Sequence, residues 1–466
     1  MFRSRRLNRL FKFAFIVSTL VLLYKIIPNS ENDGVPQFEN EKKDFNLQSL
    51  WPNVTPVPFK FEQNAAPVLN LSGDFRFTSP VEQKTIVDSL KFLNAQHKIQ
   101  NEDVYGKLNS ETVSAVIVVQ VHNRLEYLKY LIGTLENARG VNRTLLVFSH
   151  DISSFEINQV IQNITFCRVI QIFYPHNIQL FPNVFPGQDP NDCPERISTA
   201  EASQRNCNNH AHPDKYGHYR VAQLTQIKHH WWWKMNYVFD GIVDRYGLDE
   251  KYVLLLEEDH YVSPDSLYML DVMIRNKTKL VRITNVLDNF FSFCPDCDVL
   301  CLGFYLKSYK AFPNDIHKLS IQAWFSSKHN MGMAINKATW SKIRNCSTLF
   351  CSYDDYNWDW SLLHISLKCM QPRMRVLLTK APRVIHVGDC GVHTHRCQVH
   401  NAAANARTLF ETHQSLLFPS NVERTEVSKR SLKPSKPNGG WGDVRDHQLC
   451  MNNTTPYKPE DSRIIV

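Results

Sequence analysis

Apolar positions along the middle of the chain fall into two alternating patterns. Val113–Val121, Leu145–Phe148, Val169–Phe173 and Tyr252–Leu256 are near-continuous apolar runs. Runs of that length suit strands buried on both faces of a parallel sheet better than amphipathic helices. Between the first two, a polar turn, His122-Asn-Arg124, leads into Leu125–Leu135 at helical spacing. Strand, helix, strand, helix, strand predicts an α/β fold with a Rossmann-like, mostly parallel central sheet. Upstream, residues 80–108 look helical around Ile86–Leu93 and carry no recognisable chemistry. Residues 181–219 are irregular and proline-rich, an insertion stapled by Cys193 and Cys207, before a helical pattern resumes over Tyr219–Tyr246. Downstream the pattern predicts a helix over 266–275, a strand over Val299–Tyr305, an apolar segment Asn330–Ile335 and a helix near Lys337–Arg344. Neither a Gly-x-Gly-x-x-Gly nor a Walker loop occurs, which argues against a dinucleotide held by a glycine loop.

The N-terminus follows a different pattern. Leu10–Ile27 is apolar except for Ser18, Thr19 and a lysine near each end, Lys12 and Lys25. As a helix this stretch reaches roughly 27 Å, enough for a thin early-secretory bilayer. Arg3, Arg5, Arg6 and Arg9 precede it, which keeps the N-terminus cytosolic. The expected organisation is a cytosolic tail (1–9), a transmembrane signal anchor (10–27), a lumenal stem rich in Asn, Glu, Lys and Pro (28–75) and a folded lumenal domain (76–466). A cleaved signal peptide is the rival, weakened because no small-x-small site follows the apolar run. The net charge of +8 concentrates here: six of the 53 basic residues lie in the first 27, which hold no acid, leaving 47 bases against 45 acids. A nucleic-acid partner is thereby excluded. Glycosylation sequons at Asn53, Asn70, Asn142, Asn163, Asn276, Asn345, Asn452 and Asn453 fit a lumenal chain. So do 12 cysteines, read mostly as disulfides. Cys294-Pro-Asp-Cys297 reads as a short-loop disulfide, since no second Cys-x-x-Cys completes a zinc site.

The chemistry gathers at a few points. Glu257, Glu258 and Asp259 follow the Tyr252–Leu256 run directly, so three carboxylates stand where a core strand ends. Such crowding is costly unless a cation or basic group compensates, and a hard divalent metal carrying a diphosphate is the obvious candidate; the bland reading is a solvated acidic turn. Gln226-Ile-Lys-His-His-Trp-Trp-Trp-Lys234 reads either as satisfied polar groups beside a tryptophan core or as a nucleotide-contacting face. Adjacent His229 and His230 are ill-placed to chelate one metal. Cys351-Ser-Tyr-Asp-Asp-Tyr-Asn-Trp-Asp-Trp360 resembles a sugar site, with rings to stack on pyranose faces and carboxylates to take hydroxyl protons. His386 ends an apolar run, where a lone histidine is more often structural than a ligand. Nothing at suitable spacing completes a zinc site with His393 and His395.

Together, Leu256-Glu-Glu-Asp-His-Tyr261, His230-Trp-Trp-Trp-Lys234, Tyr353-Asp-Asp-Tyr-Asn-Trp-Asp-Trp360, His386-Val-Gly-Asp-Cys-Gly391 and Asn438-Gly-Gly-Trp-Gly-Asp443 resemble the Golgi N-acetylglucosaminyltransferase II family, over about residues 110 to 450. The resemblance implies a GT-A glycosyltransferase fold, with 76–466 as the catalytic domain. It implies UDP-GlcNAc as donor, an N-glycan acceptor, Mn2+ as cofactor, inversion at the anomeric carbon, and a type II protein of the Golgi membrane. It makes Asp259 and His386 the metal ligands, which reverses the bland reading of His386, and Asp359 the general base. Nucleotide-sugar contacts fall on Gln120, Val121, His122, Asn123, Arg124, Asp151, Gln226, Ile227, Lys228, His229 and His230. Implied disulfides are Cys193–Cys207, Cys294–Cys297, Cys346–Cys369, Cys351–Cys450 and Cys390–Cys397, which leaves Cys167 and Cys301 unpaired. The chain departs from the family pattern near Lys307–Lys310, where no sugar contact is assigned. The resemblance leaves a homodimer open. The rivals are a related transferase with another mannose acceptor and a catalytically silent lumenal lectin or scaffold.

Overall fold

The computed structural model describes residues 80–278, 281–282, 290–291, 294–305, 308–388, 399–427 and 436–457. All lie in the second of two units, 64–466, into which the chain divides. The expected tail, anchor and stem fall outside the described residues, as does the Cys390–Cys397 pair. Among the described residues no helix is long and apolar enough to cross a membrane.

The expected α/β alternation forms. Helix α1 (Pro80–Gln96) precedes strand β1 (Ala115–Val121), α2 (Leu125–Glu136), β2 (Thr144–His150), α3 (Phe155–Gln162) and β3 (Arg168–Phe173). After the insertion come α4 (Ala222–Tyr237), continued by a π-helical turn to Asp244, then β4 (Tyr252–Glu257), β5 (His260–Val262) and α5 (Ser266–Thr278). A two-residue pair, β6 (Val281–Arg282) and β7 (Phe290–Phe291), leads to β8 (Val299–Cys301), β9 (Lys318–Ala323), β10 (Met333–Ile335), α6 (Lys337–Arg344) and α7 (Trp358–Lys368). The chain closes with β11 (Arg375–Thr379), β12 (Val384–His386), α8 (Val399–Thr412), β13 (Glu423–Val427) and α9 (Val444–Asn452).

Nine strands make one sheet in the order β13-β9-β11-β8-β10-β4-β1-β2-β3. Its pairings are parallel from β3 through β2 and β1 to β4. β10 runs antiparallel to both β4 and β8, and β9 antiparallel to β11, while β8–β11 and β9–β13 are parallel. The sheet is therefore mixed and mostly parallel. The strand order reverses at β1: β2 and β3 build outward on one side, and β4 docks on the other. Open α/β sheets bind ligands at such a switch point, at the carboxyl ends of the strands.

Both faces of β1 are covered, which is why all its residues but Gln120 are apolar. Val116 and Val118 join Trp231, Trp232, Trp340 and Trp358 in one layer. Ile117 and Val119 join Leu128, Leu131, Ile161 and Met273 in the other. The Trp-Trp-Trp run is thus core, with Trp231 stacked on Trp358 at 4.4 Å between ring centroids. The expected strand over Val299–Tyr305 stops at Cys301. Leu302 turns away there, its N–H donating to the Gly332 carbonyl at 2.9 Å while its own carbonyl accepts from Arg383. Gly303 then bridges Val384 in parallel. Disulfides Cys193–Cys207, Cys294–Cys297, Cys346–Cys369 and Cys351–Cys450 are formed. Cys167 and Cys301 are free and buried.

Candidate active site

Two neighbouring parallel strands deliver the first half of the site. In register, Gln120 of β1 lies beside Glu257 of β4, so residues 121–124 and 258–259 leave the sheet together. The Glu258 carboxylate accepts from the His122 N–H at 2.9 Å and ties the two turns to each other. Burial pushes its carboxyl up to about 7, against the opposing effect of that hydrogen bond. His122 Nδ1 lies 2.7 Å from Oδ1 of Asp151, which stands one residue beyond β2. Against the upward push of burial, His122 and His230 hold the Asp151 carboxyl far below its usual range. Gln226, in the first turns of α4, donates to Asp151 Oδ2 at 3.1 Å and accepts from the Ile178 N–H at 2.6 Å. Gln120 accepts from Lys234 at 2.6 Å.

The expected nucleotide residues therefore divide. Gln120, His122, Asn123, Arg124, Asp151 and Gln226 gather at the switch point, while the Val121 side chain is buried in the core. Ile227 packs half-buried against the core. Lys228, His229 and His230 are fully buried and present no surface to a ligand. His230 is held by Ser149 at 2.8 Å and His229 by Asp446 at 2.9 Å. Lys228 donates to the carbonyls of Tyr353 at 3.1 Å and Asp355 at 3.0 Å, with Trp441 beneath its ammonium at 4.1 Å. Burial lowers its amine to about 7.

Asp259 is the centre of the second group. Its carbonyl accepts from Val387 N–H at 2.9 Å, and its Oδ2 lies 3.2 Å from His386 Nε2 and in a close ion pair with Arg124. Antiparallel pairing of β12 with β5 sets His386 opposite His260, which brings the distant histidine to this acid. Burial raises the Asp259 carboxyl, but His386, His260 and Arg124 more than offset it and hold it at about 2. A Cβ on Gly388 would come within 2.2 Å of Asp259 Oδ2, so only glycine passes there. Glu257, Asp259 and His260 present ligand atoms within 4.8 Å of one another. Asp259 Oδ1 is buried and has no hydrogen-bond partner. Burial lowers His260 to about 4, which keeps its imidazole neutral. Carboxylate oxygens with neutral imidazole and an unpartnered acceptor fit a divalent cation such as Mn2+. The expected ligands Asp259 and His386 are thus adjacent, while Glu257 and His260 form with Asp259 a cluster that does not include His386.

Asp359 stands in the first turn of α7. Its Oδ1 accepts from the Trp360 N–H at 3.0 Å and its Oδ2 from the Asn330 amide at 3.2 Å. Burial first, then the charges of Asp355 and Glu257, push its carboxyl up to about 7. A carboxylate of that basicity is suited to accept a proton near neutral pH. The preceding loop is fixed from the far end of the chain. Asp355 accepts from the Asn438 N–H at 2.8 Å, Trp441 Nε1 donates to the Cys351 carbonyl at 2.8 Å, and Cys351–Cys450 closes the assembly. Sequence reasoning missed Asn330, which stood in a segment read only as apolar. It also gave no individual role to Glu257 or Glu258, though their place at the strand end was the signal.

Residues 87–450 match the model of the family N-acetylglucosaminyltransferase II (MGAT2). The chain belongs to this family. Its curated relatives carry the name alpha-1,6-mannosyl-glycoprotein 2-beta-N-acetylglucosaminyltransferase. That of Sus scrofa is 42% identical over 341 residues, 72% of each chain. That of Arabidopsis thaliana is 30% identical over 374 residues, 78% of this chain and 79% of the relative. Among solved structures, S. aureus TarS 1-349 in complex with UDP-GlcNAc is 11% identical, covering 67% of this chain and 68% of its own, with a TM-score of 0.29. A likeness that slight carries no argument.

Proposed function

We propose that this chain is a GT-A-type inverting glycosyltransferase. It moves N-acetylglucosamine from UDP-GlcNAc to the 2-hydroxyl of the α-1,6-arm mannose of an N-glycan, in β-1,2 linkage. The observation that carries the reading is the pairing of two unlike carboxylates in a chain of this family. Asp259 is held strongly acidic beside His386, and Asp359 is pushed up to about 7, by burial first.

The residues divide the work. The switch-point turns, Gln120 to Arg124 with Asp151 and Gln226, bind and orient the UDP moiety. Asp259 and His386 would hold a divalent cation, manganese in this reading, whose chemistry is neutralisation of charge growing on the UDP leaving group. Asp359 takes the proton from the mannose 2-hydroxyl as that oxygen forms its bond to C1, and the C1–O bond to UDP breaks on the opposite face. One displacement with one base turns the α-linked donor into a β-linked product, so no second nucleophilic carboxylate is needed.

The Arg-rich start, the apolar stretch 10–27 and the sequons support a type II Golgi membrane protein with its catalytic domain in the lumen. The test is transfer. Purified protein is incubated with UDP-GlcNAc, Mn2+ and an N-glycan bearing N-acetylglucosamine only on its α-1,3 arm. Addition of one β-1,2-linked residue to the α-1,6-arm mannose, abolished by EDTA, is expected. Slow hydrolysis of UDP-GlcNAc without transfer would refute the acceptor and point to another mannose glycan.

A further inference from the structure

An aromatic ring stands exposed beside His386. Tyr305 is 59% exposed although it follows directly on core residues. Backbone register fixes its place. Leu302 donates to the Gly332 carbonyl, Gly303 bridges Val384 in parallel, and two residues further along both segments Tyr305 comes level with His386. The approach is tight: a Cβ on Gly303 would come within 2.7 Å of the Val384 carbonyl, and one on Gly332 within 2.8 Å of the Val384 side chain. The Tyr305 ring consequently meets the His386 ring edge-on, with centroids 5.6 Å apart. Its phenol lies within the electrostatic reach of Glu257, Asp259 and Asp359 alike. It therefore stands beside His386, on the side of the site where Asp259 lies.

We propose that Tyr305 is a substrate-contacting residue whose ring packs against the N-acetylglucosamine of the donor. This rests on the donor reading above. If the diphosphate lies at Asp259 and His386 and the proton leaves toward Asp359, the transferred sugar lies between them, along the exposed side of this ring. An apolar ring face against the C–H face of a pyranose excludes water from the reacting carbon and gains the contact energy of aromatic packing. The phenol O–H, protonated at neutral pH, is a donor within reach of the same ligand. Exposure on the side away from His386 is then the mark of a surface that the donor covers.

The experiment measures calorimetric affinity for UDP-GlcNAc and for UDP, each with Mn2+, on the full chain and on Tyr305→Ala and Tyr305→Phe. Because the side chain is exposed, both variants keep the fold. Tyr305→Ala should weaken UDP-GlcNAc about tenfold and leave UDP within about twofold, while Tyr305→Phe keeps most of the affinity. Equal weakening of both ligands would overturn the proposal, since the ring would then serve the nucleotide or the metal. Unchanged affinities in Tyr305→Ala would overturn it too. A parent protein that binds neither ligand would refute the donor reading itself, and the proposal with it.

Discussion

Replacing Asp359 by asparagine should move activity and stability in opposite directions. In the folded chain the carboxyl is pushed from 3.8 to about 7, mainly by burial. The folded state therefore keeps the proton between those values while the unfolded state has lost it, so stability falls as pH rises through that window. At 1.36 kcal/mol per pH unit, holding the charged form above pH 7 costs about 4 kcal/mol, which partial exposure discounts to roughly 2–3 kcal/mol. Asparagine carries no such cost. Its oxygen keeps the Trp360 N–H, and its new amide can face Asn330, whose Oδ1 has no partner at present. Asp359→Asn should thus be roughly 2–3 kcal/mol more stable than the parent at pH 8 and equal to it near pH 4. Transfer should drop about 10²–10⁴-fold, with UDP-GlcNAc affinity within about threefold. Denaturant unfolding at the two pH values, with turnover and calorimetry on the same samples, measures all three. A variant that is inactive but less stable at pH 8 would mean Asp359 is a structural acid, and near-normal turnover would remove it as the base.

Other consequences can be checked separately. In the parent, kcat/KM should rise through an acid limb near pH 7, as the buried Asp359 loses its proton. Removing the amide that donates to it in Asn330→Ala should move that limb to higher pH, and an unmoved limb would deny the contact its role. Lys228→Met should lower kcat at least about tenfold by releasing the loop before Asp359, yet leave UDP affinity nearly intact. An equal loss of UDP affinity would return Lys228 to the nucleotide site. Opening the Cys351–Cys450 link, which spans a sequence separation of 99, with Cys351→Ser should cost about 4–5 kcal/mol of unfolding free energy if chain entropy dominates. An unchanged midpoint in guanidinium would show that the surrounding contacts already hold the loop.

The central strands were legible because burial on both faces writes a continuous apolar run, as in Tyr252–Leu256. The acid cluster at the end of β4 was legible because three carboxylates crowded at the end of such a run repel one another unless a cation or basic group joins them. Strands at the other side of the sheet were not: Lys318–Ala323 and Glu423–Val427 carry charges that blur a strand pattern. His386 was not legible as a partner of Asp259 from pattern alone, since a pairing between β5 and β12 spans more than a hundred residues. Lys228 and His229 drew attention as polar residues in an apolar helix, but their carbonyl and carboxylate partners come from distant segments that no local spacing reveals.

The final helix and the loop before it have a bearing on biosynthesis. Asn438, Trp441, Asp446 and Cys450 hold the Asp355 carboxylate, the Cys351 carbonyl, the buried Arg220 and the Cys351 sulfur, each more than 80 residues upstream. The turns assigned to the nucleotide come from the first half of the chain and are synthesised before that helix. The loop carrying the base cannot be fixed until the final helix arrives and its cysteine is oxidised. A chain cut short before Asn438 would keep residues for gripping a nucleotide but lack the frame for using it. The parts that grip and the part that is to react are thus fixed by segments far apart in the order of synthesis.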